Sequence, residues 1–317
     1  MALRLVFFGT PAFAVPSLDR LQRSPHRIVT VVTQPDRPRG RGHRVVAEAV
    51  KTRALDHRLL VWQPERLRDP AFLSELRDLS PDLGIVAAYG RILPAELLAV
   101  PRLGMLNVHA SLLPRWRGAA PVHRAILAGD TTTGVTIMRV VQALDAGPML
   151  DAAHVAILPN ETSAELEHRL ALIGAELLAV TIDLMLAGRV QEQPQDERAV
   201  TYASRLERRD SQIDWERPAR AVHNQIRGLQ PWPLAAAWLN GRRVLLHRSV
   251  TGPDAAPDAV PGRVVSVEPD ALVVASRPGT VRILELQPEG RPVMPTRAFL
   301  SGHRVAPGDQ FLPVPVG

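Results

Sequence analysis

Short apolar runs alternate with amphipathic helical stretches over residues 3–187, and that alternation restricts the first part of the chain to parallel βαβ units. Leu3–Phe8 reads as a strand, followed by a helix with Pro16 in its first turn and a second strand at Arg27–Thr33. A helix over Val45–His57 leads to Leu60–Trp62, and one over Ala71–Leu79 leads to Leu83–Ala88. The alternation reaches Met105–Val108, and a further helix is expected from Pro121, whose missing N–H suits a first turn. The clearest helix is Ser163–Ala187, where Thr162 and Glu165 make a capping box and Gly188 supplies a stop. The fold class is therefore α/β, with a doubly wound, mostly parallel sheet. Gly9-Thr-Pro lacks the second and third glycines of a dinucleotide fingerprint, and Gly40-Arg-Gly42 is too short for a phosphate loop.

The texture changes at residues 189–205, where Gln191-Glu-Gln-Pro-Gln-Asp-Glu reads as an extended polar linker. Beyond a helix at Pro218–Gly228 come short β-type runs at Leu234–Leu239, Arg243–Ser249, Arg263–Val267, Ala271–Ala275 and Val281–Leu286. Asn240-Gly241 between the first two is a two-residue hairpin signal. Five short strands with Pro and Gly turns fit a small OB-like barrel, a scaffold that commonly binds oligonucleotides. The expected domains are 1–188, a linker at 189–205, and 206–317.

At 317 residues and 46% hydrophobic content the chain can build two cores. It has no cysteine, which excludes disulfides, a cysteine nucleophile and thiolate-bound metal. No cluster has metal-ligand spacing, and no metal is expected. No apolar run has the length of a membrane span, and the strand at Leu3 leaves no room for a leader, so a cytoplasmic location is expected. The net charge of +6 invites a nucleic-acid partner. Bulk charge does not place one: 24 basic and 21 acidic residues lie up to Arg205, and 14 and 11 beyond it, a net +3 in each part. Of the 38 basic residues only Lys51 is a lysine, a bias that looks genome-wide. Local charge is sharper, since Asp36–Arg44 carries Arg37, Arg39, Arg41 and Arg44 around Gly40 and Gly42.

Candidate chemistry sits in the run Asn107 to Pro121, Asn-Val-His-Ala-Ser-Leu-Leu-Pro-Arg-Trp-Arg-Gly-Ala-Ala-Pro. Residues i and i+2 of a strand share a face, so Asn107 and His109 point to one side at a strand exit, where α/β folds bind ligands. A second apolar segment, Gly134–Val141, runs into a loop that presents Asp145. Amide, imidazole and carboxylate suit acyl transfer as oxyanion donor, proton handler and orienting group. Each also has a plainer role, as a structural histidine, a turn-capping asparagine or a turn aspartate.

This constellation resembles the folate-dependent formyltransferase family. The resemblance runs from Phe8-Gly-Thr-Pro11 through Thr33–Gly42, Ala88–Pro94, the central run and Leu144-Asp-Ala-Gly147, then into Ile213-Asp-Trp215 and Pro231-Trp-Pro233. The arginine-rich loop and the C-terminal third resemble its tRNA-specific branch. Ala110 departs from the glycine usual after the histidine, adding a methyl that the site must accommodate. The resemblance implies 10-formyltetrahydrofolate as formyl donor and co-substrate, and the α-amine of methionine on initiator tRNA as acceptor. It makes Asn107, His109 and Asp145 catalytic, and places Ser111, Leu112, Leu113 and Pro114 in the folate pocket with Tyr89, Ile92, Leu93 and Leu144. Phe13 would line a methionine pocket, and Arg37, Arg39, Arg41 and Arg44 would contact tRNA, with Arg41 foremost. A bacterial cytoplasmic monomer is expected. The rival readings are a formyltransferase or formyl-folate hydrolase acting on a small molecule, and a non-catalytic RNA-binding protein.

Overall fold

The computed structural model describes residues 2–39, 44–254 and 259–313. The chain divides into two compact units, one of Met1–Pro121, Thr132–Ala156 and Glu167–Ala203, the other of Val122–Thr131, Ile157–Leu166 and Ser204–Gly317.

The first unit is built on a sheet of β1 (Arg4–Gly9), β2 (Arg27–Val32), β3 (Val61–Trp62), β4 (Leu83–Ala87), β5 (Met105–His109), β6 (Thr132–Arg139) and β7 (Met149–Ala156). Their order is β7-β6-β5-β4-β1-β2-β3. The pairs β1–β2, β1–β4, β2–β3 and β4–β5 are parallel, while β5–β6 and β6–β7 are antiparallel. The central strands are buried nearly throughout, as a sheet covered on both faces requires. The helix Ser163–Leu186 lies close to β5 and β6: a Cβ on Gly174 would sit 2.8 Å from Val108 and 3.1 Å from Val135. Val108 therefore faces that helix, and alternation turns Asn107 and His109 to the opposite side.

The expected helix over Val45–His57 is only half present. The helix is Ala49–Asp56, and Arg44–Val46 instead forms a strand paired antiparallel with Arg37–Arg39. β-Branched Val45 and Val46 are better placed in a ladder than in a first helical turn. The arginine-rich segment expected as a loop thus contributes two paired strands, Arg37–Arg39 and Arg44–Val46, and residues 40–43 lie outside the described ones.

The second unit carries an antiparallel sheet ordered Val264–Val267, Leu272–Ala275, Thr280–Pro288, Arg242–Thr251, Ala235–Leu239, Phe311–Leu312, with Met294–Pro295 added beside Thr280–Pro288. Val264 N donates to Asp309 O at 2.7 Å and Phe311 N to Gly262 O at 2.7 Å, which joins the two ends of the sheet into a small barrel. Its interior holds Leu246, Leu272, Val274, Ile283 and Phe311, and Trp215 packs on Phe311 at 5.6 Å. Asn240 and Gly241 have φ of 49° and 75°, both positive, as a type I′ hairpin turn demands.

The capping box forms as expected: Thr162 N donates to Glu165 at 2.8 Å, and Glu165 N to Thr162 Oγ1 at 3.3 Å. The Arg248 guanidinium, then the Thr162 donors, hold the Glu165 carboxyl down to about 2. A depressed carboxyl contributes stability above its unfolded value, and that contribution is lost as pH falls through the folded one. Glu165→Gln should therefore lower the urea midpoint at pH 7, and the difference from wild type should shrink between about pH 4.5 and 2. The side chain is 46% exposed, so solvent screening keeps the effect within about 1 kcal/mol.

Candidate active site

Strand β5 ends in a polar cluster. Asn107 is half-buried near the end of the strand, opposite Met138 of β6. His109 is 6% exposed and held on both sides. Its Nε2 lies 3.0 Å from the Trp116 carbonyl, which can only accept, so Nε2 carries the proton. Its Nδ1 lies 3.7 Å from Asp145 Oδ2, an ion-pair distance rather than a direct hydrogen bond. The same Oδ2 accepts from Gly118 N at 2.8 Å.

The turn after His109 is pinned from within. Ser111 Oγ donates to Arg115 O at 2.6 Å, Thr136 Oγ1 donates to Ser111 O at 2.7 Å, and Leu113 N donates back to Thr136 Oγ1 at 3.2 Å. The Arg115 guanidinium stacks 4.5 Å over the Trp116 ring. Asp145 sits at φ 47° in a tight loop. Two residues on, a Cβ at Gly147 would fall 1.9 Å from Arg139 O, so only glycine fits there.

Asn107, His109 and Asp145, 38 residues apart in sequence, are thus brought together in one unit. The other anticipated positions are spread more widely. Ser111 and Leu113 are buried in the turn, with Leu112 and Pro114 half-buried. Ile92 and Leu144 are exposed apolar side chains, at 78% and 54%. Tyr89 and Leu93 lie instead in the apolar cluster with Phe8, Val86 and Leu97, the Tyr89 ring edge-on to Phe8 at 5.5 Å, and burial raises the Tyr89 pKa. What Tyr89 offers to the rim is its carbonyl, which accepts from Thr10 Oγ1 at 3.3 Å and Gln34 Nε2 at 2.7 Å. Phe13 is buried in the 3-10 turn Ala12–Ala14. Arg37, Arg39 and Arg44 have backbone in the paired strands, and Arg41 lies outside the described residues. Asp36 enters the first of these strands bound to Lys51 and to Gln63 Nε2 at 2.9 Å, and those two partners hold its carboxyl below the usual range.

Sequence reasoning missed Thr136, Thr201, Arg117 and Gln195. Trp116 N donates to Thr201 Oγ1 at 2.9 Å, and Gln195 Nε2 donates to the Asp145 carbonyl at 2.8 Å. Arg117 stands in the central run, but nothing local marks it as buried. Gln195 carries no sequence signal at all, since its partners, two backbone carbonyls and the Arg117 guanidinium, lie far along the chain.

Comparison with known proteins bears on the whole chain. Residues 3–182 match the formyl transferase family and residues 205–304 match the formyl transferase C-terminal domain. The methionyl-tRNA formyltransferase of Moorella thermoacetica is 46% identical over 308 residues, covering 97% of this chain and 98% of its own. That of Methylococcus capsulatus is 46% identical over 96% of this chain and 98% of its own. Among solved structures, HypX of Aquifex aeolicus in complex with tetrahydrofolic acid superposes with a TM-score of 0.64 at 18% identity, over 95% of this chain and 47% of that one.

Proposed function

This chain belongs to the formyl transferase family, and we infer that it transfers the formyl group of 10-formyltetrahydrofolate to the α-amine of methionine on initiator Met-tRNA, giving formylmethionyl-tRNA for translation initiation. The observation that carries the reading is the half-buried Asn107 two residues from His109 at the end of β5, with Asp145 3.7 Å from the imidazole. Identity of 46% over nearly full length to enzymes named for Met-tRNA supports the acceptor.

An α-amine has a pKa of about 7.7–8.0, and esterification of the carboxyl lowers it, so a nucleophile is present at neutral pH without a strong base. Its attack on the formyl carbon places negative charge on the formyl oxygen. The Asn107 N–H₂ donates to that oxygen, and a preorganised donor acts where charge develops. His109, fixed through Trp116 and facing Asp145, assists in stabilising the oxyanion. Asp145 orients His109 and accepts the amine proton through a bridging water; collapse of the adduct then breaks the bond between the formyl carbon and N10 of the donor, and N10 leaves with that proton as tetrahydrofolate. The turn 111–114 and the exposed apolar side chains of Ile92 and Leu144 support a folate pocket, while the Tyr89 and Phe13 rings are buried. We assign Arg37, Arg39, Arg44 and above all Arg41 to the acceptor stem, residues 206–317 to further tRNA contact, and residues 1–188 to the catalytic domain. A bacterial cytoplasmic monomer fits this role, and no helix among the described residues is long and apolar enough to cross a membrane.

The test is formyl transfer from 10-formyltetrahydrofolate to Met-tRNA, scored against free methionine. Formylation of methionine alone, or hydrolysis of the donor without transfer, would refute the reading. In the same assay Arg41→Ala should raise KM for Met-tRNA at least tenfold and flatten the salt dependence of tRNA binding, while donor binding is unchanged. Arg41→Lys restores the charge without the bidentate fork and should recover only part. Wild-type kinetics in both variants would reduce the segment to solvated surface.

A further inference from the structure

The segment that reads as a polar linker is built into the catalytic end of its own unit. Met149 and Gln193 exchange both backbone hydrogen bonds at 2.8 Å. Further on, Thr201 receives Trp116 N on its hydroxyl and Arg117 N on its carbonyl, both at 2.9 Å, and Tyr202–Ala203 pairs with Arg117–Gly118. Close approach is possible because Gly118 has no side chain: a Cβ there would lie 2.9 Å from Ala203 O.

Between these anchors the Gln195 side chain is buried. Its Nε2 donates to the carbonyls of Asp145 and Gly147, each at 2.8 Å, and its Oε1 accepts from Arg117 Nε at 2.9 Å. The amide has one possible orientation, since a guanidinium only donates and the two carbonyls only accept. Arg117 is itself buried and oriented by Glu197 at 2.8 Å. Asp145 has φ 47°, a conformation that non-glycine residues keep only when their surroundings impose it. Gln195 grips the backbone on both sides of Ala146.

The geometry points to Gln195 as a positioning residue: its amide holds the Asp145 loop in the left-handed conformation that aims the carboxylate at Gly118 N and His109. This assignment rests on the formyl transfer proposed above. Gln195→Glu keeps the shape and the Arg117 contact but replaces both N–H donors with an oxygen facing two carbonyl oxygens. Loss of a partner that orients a functional side chain costs about 10–100-fold where it has been measured, at metal-bound histidines. Gln195→Glu should lower kcat by about that factor, change KM for either substrate less than threefold, and speed amide hydrogen exchange in residues 143–148. Gln195→Ala should do the same, whereas a space-filling role would harm the alanine variant and spare the glutamate one. A Gln195→Glu enzyme with kcat within twofold of wild type, or with unchanged exchange in that loop, overturns the assignment. If wild type forms no formylmethionyl-tRNA, the functional reading falls by itself, and the exchange comparison alone decides the role of Gln195.

Discussion

Replacing Asn107 by alanine should cut kcat for Met-tRNA formylation about 10²–10³-fold, which is the usual cost of one oxyanion donor, with little change in donor binding. The reason is that Asn107 shares a face of β5 with His109, which faces Asp145, so its N–H₂ is placed to donate to the developing charge. An interaction made only in the transition state lowers kcat and kcat/KM together and leaves ground-state affinity alone. His109→Ala should fall as far, and it frees the Trp116 carbonyl as well, so part of its loss is structural. Single-turnover formylation with pre-bound donor separates the two contributions. If either variant turns over near the wild-type rate, β5 does not carry the active site.

Asp145→Asn is the second large effect. Asparagine can still accept from Gly118 N through its oxygen, so the loop keeps that contact. What changes is the group facing His109 Nδ1: a carboxylate only accepts, whereas an amide can present N–H₂ and select the other pattern of ring protonation. The same exchange beside a catalytic histidine in the serine-protease triad costs about 10⁴ in kcat, and a loss of about 10²–10⁴ is expected here, where the 3.7 Å separation makes the coupling looser. Ring ¹⁵N shifts of His109 should differ between wild type and Asp145→Asn. Identical shifts together with retained turnover would remove Asp145 from the mechanism.

Much of this was legible without a structure, for reasons that differ from element to element. Asn107 and His109 share a face because strand period is two, whatever the strand packs against. The Thr162–Glu165 box and the Asn240-Gly241 turn are set within four residues, and both form as read. The strand pair at Arg37–Arg39 and Arg44–Val46 was not legible, since Val45 and Val46 continue an apolar pattern that a helix could equally use. Tyr89 and Leu93 show the same ambiguity at the site: an apolar side chain beside a rim has no local mark that says core or pocket, and here both are core.

Local side-chain patterning specifies the alternating α/β order, the β-rich second part, the polar pair at the end of β5 and the motifs that mark the family. Folding of distant segments onto one another closes the barrel through Gly262, Val264, Asp309 and Phe311, brings Asp145 within 3.7 Å of His109, and sets the Gln195 amide on the Asp145 and Gly147 carbonyls. The barrel closure and the grip of Gln195 share one cause. Periodicity, caps and turns are written in the side chains that make them, a few residues apart. Those long-range contacts end on backbone N–H and C=O groups, which nearly every residue carries alike, so no residue identity announces where they will meet, and Asp145 reaches His109 only because its backbone is so held.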